Sequence, residues 1–157
     1  MKTISIWQPF ATLIVEGCKT VETRTWPAPA SVIGQRIGIA STKNILPGQR
    51  DQWNDPVFRI HYEMTGMPNY LELPFGYLLG TAVLDAVDVM TEEMMEDVSD
   101  TELNFGWWEP GSYAWRLTDP IKLEHPIPIR GQQGIYEWKG KLDGHAQKSE
   151  EAGKEPD

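Results

Sequence analysis

Glycine and proline cut this chain into short segments, and their spacing limits the fold more than any other feature of the sequence. QRIGIAST (35–42), YLLGTAVLDAVDV (77–89), SYAWRL (112–117) and IYEW (135–138) read as strands, separated by turn signals such as Glu109-Pro110-Gly111 and Gly131-Gln132-Gln133-Gly134. Helical signals lie between them. From Pro9 to Glu16 the residues Phe10, Leu13 and Ile14 share one helical face, Pro9 suits a first turn, and Gly17 suits the position after the last. Asp55 reads as an N-cap, Pro56 as a first helical residue and Gly66 as a stop, while Thr91 caps a short acidic helix. The pattern predicts an α+β fold, a small mixed barrel with a few helices.

A chain of 157 residues, 40% hydrophobic and with seven tryptophans, can bury one sizeable core, so a single domain is expected over residues 1–140. The last stretch, KLDGHAQKSEEAGKEPD (141–157), lacks aromatic and β-branched residues and reads as a disordered acidic tail without a role in function. Gln8 and Pro9 interrupt the N-terminal apolar run, so no signal peptide is expected, and no apolar run approaches membrane-spanning length. One cysteine, Cys18, excludes an internal disulfide framework and fits a reducing, cytoplasmic setting. His61, His125 and His145 form no triad or metal set, there is no phosphate-binding glycine loop, and nothing calls for a cofactor.

The net charge of −9 argues against a surface that wraps a long nucleic acid by neutralising many phosphates, though it leaves room for a small local basic site. One stretch concentrates charge of both signs beside a glycine turn: EGCKTVETR (16–24). If it is a strand, Glu22 and Arg24 share a face, with Thr20 on the same side, and Lys19, leaving the turn, can curl toward either face. Two readings stand at this level. The charges are a surface ion pair contributing about 0–1 kcal/mol, or they line a site.

The wider sequence bears on that choice. ISIWQPFATLIVEGCKTVETRTW resembles the start of the ASCH (activating signal cointegrator homology) family, whose G-x-K-x-x-E-x-R motif is matched by Gly17, Lys19, Glu22 and Arg24. IASTK, the glycine in LLGTAVL, and SYAWRLTDPIKLEHPIPIRGQQGIYEW are similar to the family's later strands, so the resemblance runs over about residues 3–138. It implies a PUA-like fold, a small β-barrel with helices packed around it, and a cleft beside the motif that takes RNA or a modified nucleoside. The chemistry is compatible: Arg24 and Lys19 can hold a phosphate or a base carbonyl, and Glu22 can accept from an exocyclic amine or act as a base. Trp7, Trp26, Tyr113 and Trp115 are candidates to stack a base or, equally, core residues. Lys43 and Arg130 add charge to the cleft or are solvated surface. Trp107-Trp108 is either an exposed pair for a partner or a plug in the barrel.

The resemblance also raises catalysis. One branch of ASCH-like proteins hydrolyses N4-acylated cytidines with the motif lysine and a threonine at the position that Glu22 holds here. In this chain Thr20, or a water activated by Glu22, would have to substitute, with Lys19 lowering the barrier. Binding without turnover is the leading expectation, hydrolysis of acylated nucleosides the alternative, and cleavage of single-stranded RNA a third. No membrane partner is expected, and the sequence names no protein partner.

Overall fold

The computed structural model describes residues 1–142. The tail expected over 141–157 therefore lies, from residue 143 on, outside the described residues. Six strands and five α-helices follow in the order β1 (Lys2–Ile6), α1 (Phe10–Val15), β2 (Val21–Arg24), β3 (Arg36–Ser41), α2 (Pro47–Trp53), α3 (Pro56–Met64), β4 (Tyr77–Val89), α4 (Glu92–Glu96), α5 (Asp100–Asn104), β5 (Tyr113–Pro128) and β6 (Ile135–Glu137). They form one mixed sheet in the order β2-β5-β4-β3-β1-β6, parallel only between β1 and β3. The sheet curls into a half-barrel with helices packed on it, as the sequence predicts.

The curl follows from its two longest strands. Between β4 and β5 the register shifts three times, at Leu78/Gly80, Thr81/Val83 and Leu84/Ala86. Each extra residue bends and twists the ladder. SYAWRL covers the first third of β5, and Pro120 and Pro126 lie in its remainder. Both fall in stretches of β5 opposite a register shift, where the ladder needs no N–H from them, so the strand runs on to Pro128. At one such point β4 approaches its neighbour so closely that a Cβ on Gly80 would stand 2.3 Å from the Ile121 carbonyl oxygen. That contact gives a physical reason for the glycine in LLGTAVL.

Helix α1 lies inside the curl against β3, β4 and β5. All six of its residues are buried, not just the face carrying Phe10, Leu13 and Ile14, because the sheet wraps it from several sides. Burying Leu13 or Ile14 in this way stabilises the fold by about 1.5–3 kcal/mol each. Gly17 follows the helix at φ 82°, the left-handed conformation that turns the chain toward β2. Asp55 caps α3 by accepting from the Val57 and Phe58 amides, and Thr91 caps α4 by accepting from Met94. Strand β1 and helix α2 are not among the elements read from the sequence, although Pro47-Gly48 at the start of α2 and Asn54-Asp55-Pro56 after its end are turn signals of the same kind.

The WQP tripeptide joins these elements. The Gln8 side chain is fully buried; its amide donates to Thr12 Oγ1 and the Pro74 carbonyl, and its oxygen accepts from the Thr12 amide. Its backbone carbonyl accepts from Gln49 Nε2 and Trp53 Nε1 of α2. A buried side chain bonded on every side is costly to displace, and this one ties β1, α1, α2 and the approach to β4 together. The adjacent Trp7 is thereby fixed at the mouth of the curl.

Candidate functional site

Strand β2 is an edge strand, pairing Glu22 with Trp115 and Arg24 with Tyr113 of β5. Its alternation sorts the motif. Val21 turns into a small apolar cluster with Met90 and Ala114, while Glu22 and Arg24 turn into a cleft of about 240 Å³. Ser5, Trp7 and Phe10 line one part of that cleft and Phe105, Gly106 and Trp107 another.

Arg24 Nε donates to Glu22 Oε2 at 2.9 Å, Nη2 donates to the Ser5 carbonyl at 3.2 Å, and the guanidinium lies 5.9 Å from the Trp26 ring. Both charged side chains are therefore held in place before any ligand arrives. Among the described residues Arg24 Nη1 has no acceptor, so part of the guanidinium fork remains available.

Lys19 does not line the cleft. It is buried beneath it, with its Nζ donating to the Val21 carbonyl, 3.8 Å from Glu102 Oε1 and 5.8 Å from the Phe10 ring centroid. Burial pushes its pKa below the ordinary lysine value; the Glu22 and Glu102 carboxylates pull it back up and Arg24 pushes it down further. Glu102, from α5, accepts from the backbone amides of Thr20 and Val21 and from the Thr20 hydroxyl. It thus fixes the turn into β2. Nothing in the acidic run 91–103 singles it out except the spacing Ser99-x-x-Glu102, which marks a helix start. Ser99 does cap α5, accepting from the Glu102 amide.

The remaining candidates disperse. Thr20 is exposed and lies outside the cleft, beside Trp108 and Arg116. Trp115 is fully buried, 4.9 Å edge-on from Trp26, and its Nε1 donates to the Trp26 carbonyl. Tyr113 and Trp26 pack against the same core, also away from the cleft lining. Trp7 is the sequence-selected ring that reaches the cleft.

A second indole, missing from the site selected by sequence, does so as well. The Trp107-Trp108 pair splits. Trp108 turns inward, donating from Nε1 to the Glu102 carbonyl, whereas Trp107 is 70% exposed and borders the cleft, its amide bonded to Thr23 Oγ1. Gly106 permits this path, since a Cβ there would lie 2.9 Å from Thr23 Cγ2.

Beyond Ser5, Trp7 and Thr42, which border both spaces, the cleft continues into a wider groove of about 940 Å³ that contains Lys43 and Arg130. Among the described residues, no helix is long and apolar enough to cross a membrane.

The ASCH domain family model matches residues 4–127. Activating signal cointegrator 1 from Mus musculus is 27% identical over 150 residues, covering 92% of this chain and 23% of that protein. The Homo sapiens protein of the same name is 26% identical over the same shares. This chain thus spans about a quarter of the length of the curated relatives it matches. Among solved structures, ASCH from Zymomonas mobilis superposes with a TM-score of 0.53 at 20% identity, covering 91% of this chain and 90% of that one. A mutant of that protein superposes with a TM-score of 0.51 at 21% identity, covering 88% and 89%. At such identities the structures speak for the PUA-like fold alone, but with the family match running from β1 almost to the end of β5, the chain belongs to the ASCH domain family.

Proposed function

We propose that the cleft binds the base of RNA or of a modified nucleoside, in keeping with a family suggested to bind RNA. The observation that carries this reading is the Glu22–Arg24 pair, held against the wall of a concave space bordered by Trp7 and Trp107. The cleft is smaller than the roughly 300–1,000 Å³ of sites for drug-sized ligands, a scale suited to one ring system. An arginine fork beside a carboxylate matches a base edge that places a carbonyl or ring nitrogen next to an amine, as in cytosine and guanine. Exposed indole surface supplies the stacking that such recognition uses. Calorimetric titration with cytidine, N4-acetylcytidine and a short cytidine-rich single strand tests this. Saturable binding that Arg24→Ala weakens supports the reading; binding indifferent to Arg24 overturns it.

Hydrolysis of an N4-acylated cytidine is the second reading, favoured by one observation: a buried lysine with a lowered pKa lies under a cleft whose wall carries Glu22. In that case Glu22 would activate a water for attack on the acyl carbon, with cytidine as the leaving amine. Thr20 is poorly placed to be the nucleophile, since its hydroxyl bonds Glu102 outside the cleft. Release of cytidine from N4-acetylcytidine, abolished by Glu22→Gln, would establish turnover. Shortening of the oligonucleotide in the same incubation would indicate a nuclease instead.

A further inference from the structure

We infer that the groove beyond Thr42 is the path of a ribose-phosphate backbone, so that the ligand of the cleft is a single-stranded RNA segment rather than a free nucleoside. This deepens the proposed base-binding reading and rests on it. The cleft has room for a ring system but little more, whereas the adjoining groove is about 940 Å³ and shares Ser5, Trp7 and Thr42 with it. A base seated against Glu22 and Arg24 would therefore leave its sugar and phosphates to the groove.

The topology concentrates positive charge there. β3 and β5 both run antiparallel to β4, so their C-terminal ends meet beside the N-terminal end of β4. Lys43 follows the end of β3 at Ser41, and Arg130 follows the end of β5 at Pro128. Lys43 is laid against the chain at Gly76, where a Cβ would stand 3.4 Å from its own Cβ and Cγ. Neither cation forms an ion pair with a described residue, and no carboxylate among the described residues lines the groove. In a chain of net charge −9, two cations facing an acid-free groove are a local exception. They suit phosphate oxygens, which attract cations without regard to base sequence.

Thr42 is a separate observation at the junction. Its Oγ1 is the buried side-chain polar atom that finds no hydrogen-bond partner among the described residues, and the residue borders both spaces. Buried hydroxyls are normally bonded. A sugar joining a base in the cleft to phosphates in the groove passes this point, and a 2′-hydroxyl can both donate and accept. With its hydroxyl enclosed as it stands but bonded to no described residue, Thr42 is assigned to the ribose through a rotation of its side chain toward the groove.

The test compares cytidine, a cytidine-rich hexaribonucleotide and its deoxyribose counterpart on the intact protein, at several salt concentrations. The ribo-oligomer should bind at least about tenfold more tightly than cytidine. Lys43→Ala and Arg130→Ala should each remove much of that gain, leave cytidine affinity unchanged, and reduce the salt slope by about 0.7 per lost phosphate contact on a single strand. Thr42→Val should weaken the ribo-oligomer several-fold and spare the deoxy-oligomer. Oligomer binding no tighter than that of cytidine, or a gain indifferent to Lys43 and Arg130, overturns the groove while leaving the cleft intact. An unchanged ribose preference in Thr42→Val overturns the sugar assignment. Oligomer binding that ignores Arg24→Ala overturns the base-binding cleft and this inference together.

Discussion

Lys19 and Glu102 meet at 3.8 Å with side chains 1% and 12% exposed, whereas Glu22 and Arg24 meet at 2.9 Å with 9% and 24% exposed. Both pairs draw on the same sequence motif. In the first, every bond points back to the protein: Nζ to the Val21 carbonyl, and the carboxylate to the Thr20 and Val21 amides. In the second, the two groups fix each other and still face a cavity. Burial of ionic groups therefore divides a motif that reads as one unit into a clamp beneath the strand and a pair above it that faces the cleft.

The division predicts unequal costs. Glu102→Ala removes one of the two carboxylates beside a buried cation and leaves the buried Val21 amide without its acceptor, so a loss of about 2–3 kcal/mol in unfolding free energy is expected by urea denaturation. Arg24→Ala breaks a partly exposed pair and should cost stability only about 1 kcal/mol. Equal losses would erase the distinction. For ligand affinity the order reverses: Arg24→Ala should weaken base binding by about 1–3 kcal/mol, the range for charge-assisted hydrogen bonds.

Trp107→Ala gives a smaller effect and sharpens the contrast between the tandem indoles. Removing this exposed ring should leave stability within about 0.5 kcal/mol of the parent and cost base affinity about 1–3 kcal/mol through lost stacking. Trp108→Ala should do the opposite, because its ring fills an apolar cluster and its Nε1 anchors α5.

The smallest effect expected is the pH dependence of the clamp. Because the folded-state pKa of Lys19 lies below 10.5, the unfolded chain binds the proton more tightly. Its contribution to stability therefore rises with pH between the lowered value and 10.5. Burial raises the pKa of Cys18 and of Tyr62, Tyr70 and Tyr136, whose contributions fall as pH climbs past their ordinary values. The difference between the parent and Lys19→Met cancels those shared terms. It should show the parent gaining relative to the variant as pH rises toward 10.5; a flat difference would place the lysine in a solvated setting.

Strand alternation was enough to put Glu22 and Arg24 on one face, because side-chain parity is a local property of the chain. The caps at Asp55 and Thr91 were legible for the same reason. Sequence was silent where distant segments decide the outcome. Glu102 reaches Thr20 across eighty-two positions, and that contact exists only once α5 has docked. Parity also cannot separate Trp115, on the inner face of a central strand, from a ring lining a cleft; both read as aromatic residues in apolar company. The split between Trp107 and Trp108 depends on a close pass by Gly106 that no spacing announces. SYAWRL marks only the start of β5, which runs on through Pro120 and Pro126 because the register shifts against β4 free both positions from the ladder.

The most direct test of the proposed base-binding role of the cleft is an amide and indole chemical-shift map of the uniformly 15N-labelled protein titrated with cytidine and N4-acetylcytidine. Saturable shifts should concentrate at the Trp7 indole, the Glu22–Arg24 amides and the Gly106–Trp107 turn, leaving Val98, Ser99 and Arg116 unmoved. Shifts centred on the Thr20, Trp108 and Arg116 surface, or none at saturating ligand, would contradict the assignment of Glu22 and Arg24 to base recognition.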